Sequence, residues 1–289
     1  MKKVMIALVA ICGLAGGAAS LRAQESTPPK VLVIDRESVK FGKDAGHEKN
    51  EAAFAKAFAA AKRPDHYLGT TTLSGPDEAV YFAGFDSYAQ WGEAEKLSSD
   101  PKMQAVFGPL MEKDGDYVSD GHQAIATLND KWSYHANVDI APMRFFEIEN
   151  IHLRPGHDKD WEDLVALFKA TADKINLDES DIFYEVRYGA PDGTILIFTP
   201  RKALADLDAA MGQGKAFNDA LGPDGQKKWA DLLHAAVESA RTDLLEFDPV
   251  MSYPPDSWVK EDPAFWKPKP AMAAKPSAAA KKSEEPAKK

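Results

Sequence analysis

Two segments about 110 residues apart share one alternation of apolar and polar positions. In the first, Val33, Asp35, Glu37, Val39 and Phe41 fall on one face of an extended chain, with Ile34, Arg36, Ser38 and Lys40 on the other. In the second, Phe145, Glu147, Glu149, Ile151 and Leu153 take the first set of positions, and Phe146, Ile148, Asn150 and His152 the other. A period of two predicts a strand over 33–41 and another over 145–153. Each leads to Gly-His (Gly46-His47, Gly156-His157) and then to a helix with apolar residues three or four apart. These are Phe54 and Phe58 in the first copy, and Trp161, Leu164, Val165 and Phe168 in the second. Paired short strands follow, 67–73 with 79–85 and 182–188 with 194–198, around turns that carry Pro76-Asp77 and Pro191-Asp192. Helical regions begin at 87–97 and 202–211, and the second copy adds a helix over 226–241. An apolar strand closes each copy, at 124–128 and 243–247.

The order strand, helix, strand, strand, helix, strand is the split unit of the ferredoxin-like fold. Such a sheet carries its helices on one face and needs cover on the other, which two tandem copies supply by packing sheet on sheet or closing a barrel. The stretch 146–168 holds Leu153-Arg154-Pro155-Gly156-His157 ahead of an amphipathic helix. It resembles the dimeric α/β-barrel superfamily, which includes antibiotic-biosynthesis monooxygenase-like and NIPSNAP-like domains. The resemblance extends over 30–253, although the first copy has Gly42-Lys43-Asp44-Ala45-Gly46 where the second has Arg-Pro-Gly. It implies an α+β protein of two tandem ferredoxin-like βαββαβ repeats, 30–135 and 143–253, forming a pseudo-dimeric α/β barrel. Two copies in one chain would replace two subunits, so a monomer is expected.

The ends differ from this body. Residues 1–23 read as a signal peptide: Lys2 and Lys3, an apolar run over 4–14, and small Ala23 before Gln24. The expected destination is the periplasm or the medium. The single cysteine, Cys12, lies in that leader, so the mature chain has neither disulfides nor thiolate chemistry. A Pro-rich arm over 254–266 carries Trp258, Phe265 and Trp266, which should fold back onto the body rather than stay in water. The tail, 267–289, has seven lysines against two glutamates and too few apolar residues to fold, so disorder is expected. Without leader and tail, the net charge of -10 becomes about -18 for the body. That balance excludes an ordinary nucleic-acid binder and leaves the basic tail as a possible contact to an anionic envelope surface. No transmembrane span is expected.

No strong catalytic motif is present. There is no nucleophile elbow or phosphate loop, and Gly212-Gln213-Gly214 lacks its third glycine and a preceding strand. His47-Glu48-Lys49-Asn50-Glu51 begins like a zinc-protease helix but has Glu51 where the second histidine belongs. Asp114, Asp116 and Asp120 are spaced only loosely like a calcium loop. No metal and no cofactor are therefore expected. The charged first strands are the informative places. Their four acids, repeated between copies, either line a shared polar cavity, where proximity raises pKa values, or form structural ion pairs with Arg36 and Arg187. Candidate bases are Glu37, Glu149 and His152; His152 also suits a metal or haem. Candidate ligand-binding residues are Asp35, Glu147, Tyr67 and Tyr184. Two functions remain open: an exported protein binding a small apolar or aromatic ligand in the inter-repeat cavity, and a cofactor-independent monooxygenase-like enzyme with a carboxylate or histidine base.

Overall fold

The computed structural model describes residues 27–267. The leader over 1–23 and the tail beyond Lys267 lie outside them. The first half contains β1 (Val31–Val39), α1 (Asp44–Ala60), β2 (Tyr67–Thr72), β3 (Glu78–Phe85), α2 (Tyr88–Ser98), α3 (Pro101–Asp114) and β4 (Val118–Leu128). The second contains β5 (Phe145–Leu153), α4 (Asp158–Ile175), β6 (Ile182–Tyr188), β7 (Thr194–Arg201), α5 (Ala205–Ala236) and β8 (Val237–Tyr253). Short helices α6 (Asp256–Glu261) and α7 (Pro263–Trp266) follow. Among the described residues no helix is long and apolar enough to cross a membrane.

All eight strands form one closed antiparallel barrel in the order β1-β3-β2-β8-β5-β7-β6-β4. Within each half the strand order is that of a ferredoxin-like sheet, β4-β1-β3-β2 and β8-β5-β7-β6. The halves meet along two seams, β2 with β8 and β4 with β6. Local sequence sets the helix boundaries. The Ser87 hydroxyl accepts from Gln90 N, and Asp100 accepts from Lys102 N ahead of Pro101, so both chains turn into helix with their first amides satisfied.

The interior of the barrel is a packed core. Leu32, Ile34, Phe82, Phe146, Phe198 and Leu245 meet there, and Phe82 and Phe146 each stand edge-on to Phe198 with centroids 5.4 Å apart. This corrects the expectation of a ligand cavity between the repeats: bulky side chains from both halves fill that space. The arm closes one part of the same core. Trp266 is 1% exposed and donates its indole N–H to the Ala141 carbonyl at 2.8 Å. Arg144 pairs with Asp262 and lies over the Phe265 ring, 3.9 Å from its centroid.

Two further boundaries depart from the sequence reading. The helix expected over 226–241 ends at Ala236, and 237–241 are strand. The apolar spacing does continue through Val237, but pairing with β5 from Val237 onward satisfies the backbone better than another helical turn. That helix is also continuous with the preceding one, with a break at Gly222, which takes φ +66° ahead of Pro223.

The β2–β8 seam is close-packed around Gly69. Its amide donates to the Ser252 hydroxyl at 2.9 Å, and a Cβ at this position would lie 2.7 Å from the Met251 carbonyl oxygen. We expect Gly69→Ala to destabilise the fold by about 1–3 kcal/mol, because backbone rather than a flexible side chain must move. Chemical unfolding of the two proteins checks this.

Candidate functional site

Strand alternation decides where the acidic residues go. In β1, Leu32 and Ile34 enter the barrel core, so Val31, Val33, Asp35 and Glu37 face the helices. In β5, Phe146 and Ile148 enter the core, so Glu147 and Glu149 face the helices of the second half. The acids thus lie outside the barrel wall, over two separate cavities. The cavity of the first half measures about 510 Å³, and that of the second about 260 Å³.

The first cavity has aromatic walls. Phe58 stacks on Phe107 and meets Tyr67 edge-on, each pair with centroids 5.2 Å apart, and Tyr67 in turn meets Tyr81. Arg63 ties the end of α1 to α2: it bonds Asp65 with two nitrogens and also reaches the Ala94 carbonyl and the Ser98 hydroxyl. His66 and Trp91 also line this cavity. Two polar atoms on these walls, the Tyr67 hydroxyl and His66 Nδ1, are buried with no hydrogen-bond partner.

The polar end of this cavity is a cluster of Glu37, His47, Glu51 and Asp114, whose ligand-type atoms all lie within 4.8 Å of one another. His47 Nε2 is 2.9 Å from Glu37 Oε2 and 3.9 Å from Asp114 Oδ1. Asn50 donates to Asp114 at 3.2 Å and to the Leu110 carbonyl at 3.1 Å, which fixes the end of α3 against α1. The ring of His47 is 2% exposed. Burial disfavours its charge, but the Glu37 hydrogen bond and the charges of Glu51, Glu37 and Asp114 outweigh this, and its pKa is raised. Burial, then the charge of Glu37, pushes the Glu51 carboxyl up to about 8. Asp114 is raised chiefly by burial, and so is Asp35, which accepts a hydrogen bond from Gln123 at 2.8 Å.

The second cavity has the same position in its half and a different lining. Glu149 stands where Glu37 does, but the fourth and eighth residues of α4 are Trp161 and Val165, against His47 and Glu51 in α1. Beside Glu147, Glu149 and Glu179 it carries Asp181, buried against Thr199, which donates to it at 2.7 Å. Burial, reinforced by Glu179, raises Asp181 to about 7.

Of the residues singled out in the sequence, Asp35, Glu37 and Tyr67 line the first cavity, and Glu147 and Glu149 the second. Two are placed elsewhere. Tyr184 belongs to the barrel core, because Ile182 and Tyr184 share the inward face of β6, and its hydroxyl donates to the Pro29 carbonyl. His152 is on the opposite face of β5 from Glu149 and pairs with Glu238 at 3.3 Å, so the two do not share a site. The Gly-His parallel also fails at its second residue: His47 lies inside α1, whereas His157 is at the N-cap of α4 and bonds Asp160. The sequence offers His47 and Glu51 only as an incomplete zinc-protease helix and Asp114 only as a loose calcium loop, so none of the three is among the candidates. The signal for the first two was the four-residue spacing in 47–51, which puts both on the face of α1 that carries Phe54 and Phe58.

No family model matches the sequence, and no curated protein matches it. Solved structures do resemble the fold. An anthrone oxidase-like protein is 11% identical, with a TM-score of 0.51 over 78% of this chain and 94% of its own. A candidate monooxygenase from Fusobacterium nucleatum is 10% identical, with a TM-score of 0.48 over 76% of this chain and 93% of its own. A variant of the chlorite dismutase of Candidatus Nitrospira defluvii is 10% identical, with a TM-score of 0.45 over 81% and 96%. The first of these likenesses, with the strand order, defines the class: a ferredoxin-like α/β-barrel protein.

A titration check follows from Asp181. Its native pKa is about 7, above the unfolded value of 3.8, so the native state holds a proton that the unfolded state has lost across that interval. The contribution to stability is complete below pH 3.8 and falls as pH rises towards 7. We expect Asp181→Asn to remove this part of the slope, which is on the order of 4 kcal/mol at most, in unfolding free energies measured from pH 4 to 8.

Proposed function

We propose that the first-half cavity binds a small, flat, apolar or aromatic molecule with one hydrogen-bonding head group. The observation that carries this reading is the pair of buried, unpartnered polar atoms, the Tyr67 hydroxyl and His66 Nδ1, on a wall that also holds Phe58, Tyr81 and Trp91. An apolar body would be held by Phe58, Trp91 and Tyr81, while a head group would satisfy those atoms and meet Glu37 and Asp35. The second cavity, smaller and without the His47 and Glu51 equivalents, has no such role in this reading.

A second reading is favoured by the 2.9 Å pair of Glu37 and His47. A carboxylate and an imidazole at that distance can take a proton from a bound ligand, which is the chemistry of a cofactor-independent, monooxygenase-like enzyme. Oxygen then reacts with the carbanion or phenolate so formed. We also infer export through the 1–23 leader, tandem duplication of a ferredoxin-like unit over 30–135 and 143–253, a monomeric state, and contact of the 267–289 tail with an anionic surface.

Mass spectrometry of small molecules retained by the natively purified protein should find a bound aromatic compound. Adding that compound should quench tryptophan fluorescence through Trp91, and Tyr67→Phe should weaken it by about tenfold, the loss of one buried hydrogen bond. Unchanged affinity in Tyr67→Phe would remove the cavity from this function. If the compound is consumed with oxygen uptake, Glu37→Gln should slow it by about 100-fold or more.

A further inference from the structure

We propose that Glu37, His47, Glu51 and Asp114 hold a divalent first-row cation of the manganese, iron(II) or zinc kind at the polar end of the first cavity. This goes beyond the binding reading above and needs no organic ligand in place.

The first argument is geometric. Two ligands each about 2.1 Å from one ion stand about 3 Å apart when adjacent and about 4.2 Å apart when opposite. His47 Nε2 lies 2.9 Å from the Glu37 oxygen and 3.9 Å from the Asp114 oxygen, and the whole set falls within 4.8 Å. The spread of up to 4.8 Å slightly exceeds the distance between opposite ligands, so binding requires the side chains to rotate inwards. The four come from β1, α1 and the end of α3, and the 3.2 Å hydrogen bond from Asn50 orients Asp114 as an outer partner orients a metal ligand.

The second argument is charge. Three carboxylates surround one imidazole, and His47, Glu51 and Asp114 are buried. Among the described residues, no lysine or arginine pairs with any of the four. Arg36, the nearest arginine in sequence, is on the opposite face of β1 and pairs with Glu78 and Asp243. His47 is the one partner that can carry positive charge among three carboxylates, and a metal ion would offset the deficit that remains. A set of three oxygen donors and one imidazole suits a borderline divalent ion rather than a soft monovalent one.

The third observation is independent of the cluster. The Tyr67 hydroxyl, buried and unpartnered, lines the same cavity close enough to feel the charges of Glu51 and Glu37. A water or ligand oxygen on an ion at the cluster is the acceptor it lacks. The second half serves as an internal contrast. There Glu149 persists, but Trp161 and Val165 occupy the helix positions of His47 and Glu51, so a cation site is not formed. With an ion bound, Glu37 and His47 become ligands, and the chemistry available shifts from proton abstraction to polarisation of a ligand oxygen.

The test uses the mature full chain, stripped with chelator, and Mn²⁺ and Zn²⁺ as probes. Titration calorimetry and metal analysis after dialysis should give one equivalent of at least one ion. Glu51→Gln and Asp114→Asn, both near-isosteric, should each weaken that binding by tenfold or more, and His47→Gln should do the same. Glu149→Gln should leave it unchanged. Absence of stoichiometric binding overturns the proposal. So does binding that survives all three cluster substitutions, which would locate the ion on the acidic surface. Because no organic compound enters this measurement, failure of the aromatic-ligand experiment leaves it intact, and the converse also holds. If a cluster variant does not fold, Mn²⁺ electron paramagnetic resonance on the intact protein decides: a spectrum distinct from hexaaquo Mn²⁺, with nitrogen coupling from one imidazole, supports the site, and its absence overturns it.

Discussion

Closure of one sheet around an apolar interior is the constraint from which the rest of the structure follows. A ferredoxin-like sheet has two faces, and its helices cover only one. Here the second face of each half is covered by the other half, through the seams β2–β8 and β4–β6. The residues turned inward must fill the space without leaving polar groups unpaired, and Leu, Ile and Phe from every part of the barrel do so. The acids Asp35, Glu37, Glu147 and Glu149 thereby face outwards, beneath the helices, while Arg36 keeps the inward parity only by pairing with Glu78 and Asp243. The site is a consequence of that exclusion: Glu37 faces α1 because Ile34 faces the core.

What the helices bring to the strand then differs between halves. In the first, α1 sets His47 and Glu51 against Glu37, and α3 ends with Asp114 beside them. In the second, α4 sets Trp161 and Val165 in the corresponding places, and an aromatic wall results. One architecture thus carries a larger cavity that ends in a His-carboxylate cluster and a smaller one whose carboxylates have no histidine beside them. Buried ionisable groups are costly to keep, and both halves hold them: Glu51, His47 and Asp114 in the first, Asp181 and the half-buried Glu149 in the second.

The alternation along β1 and β5, the Pro-Asp turns and the order of elements were legible in the sequence, because each depends on local spacing. Which face of β1 meets the helices was not. That choice depends on the partner sheet, and Asp35 and Arg36 give opposite faces the same polarity. Tyr184 was misplaced for the same reason: one step along β6 separates the core from the helix layer. Glu51 on a helix reads as a solvated charge until α3 and β1 cover it. Asp114 is more than 60 residues from its neighbours in the cluster, and no spacing rule joins it to them. The end of α5 was overrun because apolar residues three and four apart continue into a strand, and only pairing with β5 tells helix from strand at Val237.

Strand β8 has a position that bears on how the molecule comes together. It is the last long element in the chain, yet it joins β5 on one side and β2, near the start, on the other. Until it is in place β2 has a bare edge and the first half stays open. Trp266, later still, completes the same interior. Closure is therefore deferred to the end of the polypeptide, and a chain emerging from its N-terminus keeps an unfinished sheet until almost its final residues are free. The segments that complete the first half's sheet and the shared interior are therefore the ones a folding chain gains last.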